Sequence, residues 1–162
     1  MDLVGRYTFH VHALVFFKLE IKEIMEKYNL FLDDFRHPYD CVAYMPNKAI
    51  YAKLKWEIVR SYDEFVDYIN KHGLPAIISY DHDLADEHYD GDMYDGVEAY
   101  NKKYAEFKEK TGLDCAKWVV DYCMDNEKDL PEYVVHSMNP AGGKNIWEYL
   151  ENYRKFQENE RN

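Results

Sequence analysis

Leu30-Phe31-Leu32-Asp33-Asp34 and Ala76-Ile77-Ile78-Ser79-Tyr80-Asp81-His82-Asp83 are short apolar runs that each end in a block of acids. A short apolar run closed abruptly by polar residues has the pattern of a strand buried on both faces. Outward from these two, Trp56-Glu57-Ile58-Val59-Arg60 reads as another strand. Ser61, with Glu64 three residues on, makes a capping box that opens a helix. Tyr62, Phe65, Val66 and Ile69 fall on one face of that helix, and Gly73 ends it. Pro131 leads into a fourth strand, Tyr133-Val134-Val135, which runs into His136-Ser137. Asp114 is expected to cap a helix whose apolar face carries Cys115, Trp118, Val119 and Tyr122. Asn139-Pro140-Ala141-Gly142-Gly143 reads as a turn before a last helix with Ile146, Leu150 and Tyr153 facing inward. Residues 35–55, interrupted by Pro38 and Pro46, read mostly as loop, residues 85–96 as a polar insertion, and residues 97–110 as an exposed helix.

Strands alternating with helices predict an α/β domain with a mainly parallel sheet, the first strand central and helices on both faces. The length of 162 residues suits one such domain, expected over residues 25–162. Residues 1–24 hold the apolar run Ala13-Leu14-Val15-Phe16-Phe17 and are expected to be a dispensable extension, with Met25 a natural start. The run is too short to span a bilayer. Cys41, Cys115 and Cys123 are odd in number and lack paired spacing, which predicts core thiols in a reducing, cytoplasmic compartment. The formal net charge of −11 opposes extended nucleic-acid binding and adhesion to an anionic membrane. The 16 tyrosines are expected to bury their rings and keep their hydroxyls wet; stacking on nucleotide bases is the alternative.

In open α/β sheets, ligands bind beyond the carboxyl ends of the strands. Three strands here end in chemically capable residues: Asp33-Asp34, Asp81-His82-Asp83 and His136-Ser137. Carboxylates held together repel one another, and a divalent cation relieves that cost. Mg²⁺, or Mn²⁺, takes one or two carboxylates, waters and a phosphate oxygen, which makes Asp33, Asp34 and Asp81 the expected metal ligands. Simple loop capping by these acids is the plainer alternative. Ser137, Asn139 and Gly142 offer a hydroxyl, an amide and a backbone N–H to a phosphate, and Arg36 offers a bidentate fork. His82 and His136 are candidate proton carriers beside the catalytic candidates Asp81 and Asp83.

Leu30-Phe31-Leu32-Asp33-Asp34-Phe35-Arg36-His37-Pro38 resembles the opening motif of the cyclic-phosphate-processing receiver-like domains. Ile78-Ser79-Tyr80-Asp81-His82-Asp83-Leu84, Thr111-Gly112-Leu113-Asp114 and His136-Ser137-Met138-Asn139-Pro140-Ala141-Gly142 resemble its later motifs in order. The resemblance covers about residues 25–153 and implies a flavodoxin-like, receiver-like α/β/α fold with four to five strands and a Mg²⁺ site. It implies that Asp33 and Asp34 hold the metal. Asp81 matches the phosphoryl-accepting aspartate of true receivers, and Ser137 their phosphoryl-contacting hydroxyl. No clear fifth strand carries the receiver lysine, and His82 and Asp83 are additions to the receiver pattern. These departures favour hydrolysis over a phospho-switch. The expected function is a metal-dependent phosphoesterase acting on a cyclic phosphate, at an RNA 2′,3′-cyclic end or in a cyclic nucleotide. A non-catalytic receiver-like module, or a sponge for a phosphorylated ligand or partner, is the alternative.

Overall fold

The computed structural model describes residues 27–84 and 110–161. The sheet contains β1 (Asn29–Leu32), β2 (Trp56–Val59), β3 (Ile77–Tyr80) and β4 (Glu132–Val135), all parallel, in the order β2-β1-β3-β4. The helices are α1 (Lys48–Lys53), α2 (Tyr62–His72), α3 (Gly112–Asp125) and α4 (Pro140–Glu160). The chain thus has the expected receiver-like, flavodoxin-like α/β architecture, with β1 in the interior of the sheet. Residues 1–24, the polar insertion at 85–96 and nearly all of the helix expected at 97–110 lie outside the described residues. Among the described residues, no helix is long and apolar enough to cross a membrane.

Side chains on a strand alternate between the two faces, and here the alternation builds two different layers. Leu30, Leu32, Ile78 and Tyr80 are wholly buried on one face against Phe65 and Ile69 of α2, Cys115 and Val119 of α3, and Ile146 and Leu150 of α4. Each such Leu, Ile or Phe contributes about 1.5–3 kcal/mol of burial. Phe31 points to the other face and packs with Cys41 and Tyr51, flanked by Trp56, Ile58 and Val134. Cys41 comes from a 3-10 helix, Pro38–Ala43, and Tyr51 from α1. The segment expected to be loop is therefore helical in part. Both helices are only six residues long, too short to show a periodic pattern, and each is anchored by one buried side chain.

Two further boundaries differ from expectation. Thr111 is the N-cap of α3, and Asp114 is the third residue of its capping box, accepting from the Thr111 N–H at 2.9 Å. Asn139 is the N-cap of α4, so Pro140 through Gly143 form its first turn instead of a separate turn. α2 begins as expected at Ser61, whose hydroxyl accepts from the Glu64 amide. Its end at Gly73 has a φ of 78°, where glycine avoids the Cβ strain.

Register positions the site. Leu32 pairs with Val59 on β2 and with Tyr80 on β3, and Tyr80 pairs with Val135 on β4. The ladder continues one residue further: Asp33 N–H donates to Val59, Asp81 N–H to Leu32 and His136 N–H to Tyr80, at 3.2, 2.9 and 2.9 Å. Asp33, Asp81 and His136 therefore leave the sheet side by side. By alternation they share the face of Phe31, Ser79 and Val134.

Candidate functional site

Asp33, Asp34 and Asp81 each offer a carboxylate oxygen, and the three oxygens lie within 4.8 Å of one another. Asp33 and Asp81 are 0% and 1% exposed. Burial on this scale penalises charge, so each carboxylate needs compensation. For Asp33 it comes from the protein. Burial alone would raise its pKa; hydrogen bonds from His136 and the Arg36 and Phe35 amides, together with the Arg36 charge, outweigh it and hold the group at about 2. Asp34 is compensated poorly. Burial, then the charges of Asp33 and Asp81, push its carboxyl up to about 6. Asp34 Oδ1 and Asp81 Oδ2 are buried without a hydrogen-bond partner among the described residues. Asp81 Oδ2 has the Arg36 guanidinium 2.6 Å away, so Asp34 Oδ1 is the acceptor left over in this acidic cluster, and a hard cation would satisfy it. The donor set is all oxygen, which fits a hard cation such as Mg²⁺ or Mn²⁺.

Arg36 reaches into this cluster. Its Nε donates to Asp33 Oδ2 at 2.7 Å, and its Nη2 lies 2.6 Å from Asp81 Oδ2. The second contact is a close ion pair between a partly buried guanidinium and a buried carboxylate. The Arg36 amide also donates to Asp33 Oδ1. Nη1 donates to the Tyr44 hydroxyl at 2.9 Å, which itself donates to the His136 carbonyl at 3.1 Å.

His136 lies beneath Asp33. It is 0% exposed and stacks on Phe31 at 4.4 Å between centroids. Nε2 is 3.1 Å from Asp33 Oδ2, Nδ1 is 2.7 Å from Ser79 Oγ, and that hydroxyl is 3.0 Å from the Tyr51 hydroxyl. The arrangement is satisfied when Tyr51 donates to Ser79, Ser79 to Nδ1 and Nε2–H to the carboxylate. Both ring nitrogens are thus committed to orienting Asp33.

The remaining candidates form a second group. His82 Nδ1 is 2.9 Å from Asp83 Oδ1, and Asn139 Nδ2 donates to both Asp83 oxygens at 3.2 Å. Asp83 stands outside the three-carboxylate cluster. The Asn139 carbonyl oxygen caps α4 by accepting from the Gly142 N–H at 3.0 Å, so both of these phosphate candidates already have partners. Ser137 Oγ accepts from the Asn139 amide at 3.1 Å. The His82 amide donates to Asp81 Oδ1 at 2.8 Å, which joins the two groups through backbone.

Several supporting residues were not read from the sequence. Arg60 Nη1 donates to the carbonyls of Asp33 and Arg36 at 2.8 and 2.7 Å, pinning the loop that carries the acids. Arg60 ends β2 at the same sheet edge, so the rule that found the other strand ends applies to it as well. Ser79, a hydroxyl inside an apolar strand, was the available signal for the buried chain. Gly112, the first residue of α3, donates to the His82 carbonyl at 2.8 Å and lies hard against the Asp81 carbonyl. Only a residue without a Cβ fits there.

No curated protein and no solved structure matches the chain. Residues 28–152 match the cyclic-phosphate processing receiver domain. That match spans β1 to most of α4, including every residue of the cluster, and the chain belongs to the family of cyclic-phosphate processing receiver domains.

Proposed function

We propose that this chain is a metal-dependent phosphoesterase that opens a cyclic phosphate. The observation that carries the reading is the Asp33–Asp34–Asp81 cluster, two of its carboxylates buried and Asp34 Oδ1 without a hydrogen-bond partner, at the ligand-binding edge of a domain from a cyclic-phosphate processing family. Asp33, Asp34 and Asp81 would hold Mg²⁺ or Mn²⁺, which supplies charge neutralisation at the phosphate and activation of water. In the hydrolysis, a water oxygen bonds to phosphorus, one ring P–O bond breaks, and the leaving oxygen takes up a proton. Asp81 orients the water; in the alternative course its carboxylate bonds to phosphorus as the ring P–O bond breaks, and water then cleaves the acyl phosphate. His82, paired with Asp83, is the group assigned to the leaving oxygen, because His136 is occupied in orienting Asp33. Ser137 and the start of α4 face the phosphate.

A binding module is the second reading. It is favoured by the burial of both histidines, at 2% and 0% exposure, which restricts proton exchange with solvent. Turnover separates the two. Cyclic mono- and dinucleotides and RNA with 2′,3′-cyclic ends are incubated with the full chain and Mg²⁺ or Mn²⁺. Wild type is expected to convert at least one of them, and Asp81→Asn to lose at least a hundredfold in rate. Thermal melts of the same proteins should show a metal-dependent rise in Tm that Asp33→Asn and Asp81→Asn abolish. Tight ligand binding without conversion would replace hydrolysis by the module reading. A wild-type melt indifferent to millimolar metal would remove both the metal and the esterase.

A further inference from the structure

We propose that Arg36 is a built-in occupant of the cation position, so that its guanidinium and the divalent metal compete for the same carboxylates. This rests on the metal reading above. The guanidinium bridges Asp33 Oδ2 and Asp81 Oδ2 at 2.7 and 2.6 Å, and these two carboxylates belong to the three that converge within 4.8 Å. A metal bound by Asp33 and Asp81 needs oxygens that Arg36 now engages. The two cations also repel at such separations, so the filled site favours withdrawal of the guanidinium.

The geometry supports an exchange. Arg36 holds Asp33 through a directed hydrogen bond and Asp81 through a close ion pair, so an incoming divalent cation replaces one positive charge at these carboxylates with two. The bridge leaves Asp34 Oδ1 without a hydrogen-bond partner, and the metal-free site is therefore only partly neutralised. A landing place lies beside it: the guanidinium already donates to the Tyr44 hydroxyl and sits 5.9 Å from that ring's centroid. Tyr44 is 39% exposed, so a short swing carries the charge from the floor of the site toward its mouth, where a cationic fork meets phosphate oxygens. The backbone stays fixed during the swing, because Arg60 holds the Arg36 carbonyl and Asp33 holds the Arg36 amide. Arg36 is a positioning residue in one state and a ligand contact in the other.

The test measures Mn²⁺ affinity of the full chain by the loss of the free-ion EPR signal, with Mg²⁺ as competitor, for wild type, Arg36→Gln and Arg36→Lys. Lysine keeps the charge but lacks the planar fork that bridges two carboxylates. Competition predicts that both variants bind about tenfold tighter than wild type, the equivalent of one lost charged hydrogen bond. Tightening in Arg36→Gln alone would mean that only local charge matters and would overturn the proposal. Weaker binding in both would make Arg36 a support of the metal site and overturn it too. In wild type, the Arg36 Nε–H resonance should exchange slowly without metal and shift and exchange faster at saturation. An unchanged resonance at saturation refutes the exchange even if the variants fail to fold. If no protein binds metal, wild type included, the metal reading itself fails and takes this inference with it.

Discussion

Gly112→Ala isolates how α3 braces the acidic site. An added Cβ would overlap the Asp81 carbonyl oxygen and lie 2.8 Å from its carbon and 3.1 Å from His82 Cα. Non-bonded heavy atoms pack at about 3.5 Å, so the helix start or the Asp81 peptide must move by roughly 1.5 Å. All three obstructing atoms are backbone, and no side chain can rotate away. Overpacking in such a place costs about 3 kcal/mol, the upper part of its usual range. Against this, alanine is favoured over glycine in a helix by at most about 1 kcal/mol. The net loss of about 2 kcal/mol corresponds to a fall in Tm of roughly 4–8 °C. Gly143→Ala is the internal control: it also lies in a first helical turn, yet its Cβ would meet Val135 and Ser137 atoms at ordinary distances of 3.4 and 3.7 Å. Thermal melts of the metal-free full chain should show Gly112→Ala well below wild type and Gly143→Ala level with it or above. Gly112→Ala melting at or above wild type would refute the close packing of α3 on Asp81.

Two other outcomes follow from the site's electrostatics and its buried chain. Asp34 has a raised pKa in the folded protein, so folding favours its protonated form between about pH 4 and 6, and its contribution to stability falls as pH rises through that window. Metal-free Asp34→Asn should therefore melt above wild type at pH 7, with the gap narrowing below pH 6 and closing by about pH 4; a gap independent of pH contradicts the assignment. Ser79→Ala leaves both the Tyr51 hydroxyl and His136 Nδ1 buried without their shared partner, at a cost of about 2–4 kcal/mol, whereas Tyr51→Phe removes one hydroxyl at about 1 kcal/mol. Urea titrations that gave the two variants equal stability would break the chain at Ser79.

The four strands were legible because each is a short apolar run stopped by polar residues, and the alternation of strands and helices was enough to bring Asp33 and Asp81 to one edge. Cys41 and Tyr51 were less legible: a six-residue helix held by one buried side chain has no period to detect. The start of α3 was displaced by three positions, since the sequence of a capping box names its residues without saying which end is the cap, and α4 begins inside the stretch read as a turn. The candidate site divides in the same way. Residue type and strand-end position suggested the acids, while the commitments of His136 to Asp33 and Ser79 and of Asn139 to Asp83 arise from contacts between distant segments. Arg36 shows the limit most clearly. An arginine after two aspartates reads equally well as a phosphate clamp or a surface ion pair, and only the fold turns it back onto Asp33 and Asp81.

The pairing of Leu32 with Tyr80 also ties quality control of folding to assembly of the site. If β3 slipped by a single residue against β1, its side chains would exchange faces. Asp81 would then turn toward the layer filled by Phe65, Val119 and Ile146, and Tyr80 toward the one that holds Phe31 and Tyr51. The misaligned chain would bury a charge in oil and lose the serine beneath His136 in the same step. A molecule that has gathered its three carboxylates has thereby reported that its central strands are in register.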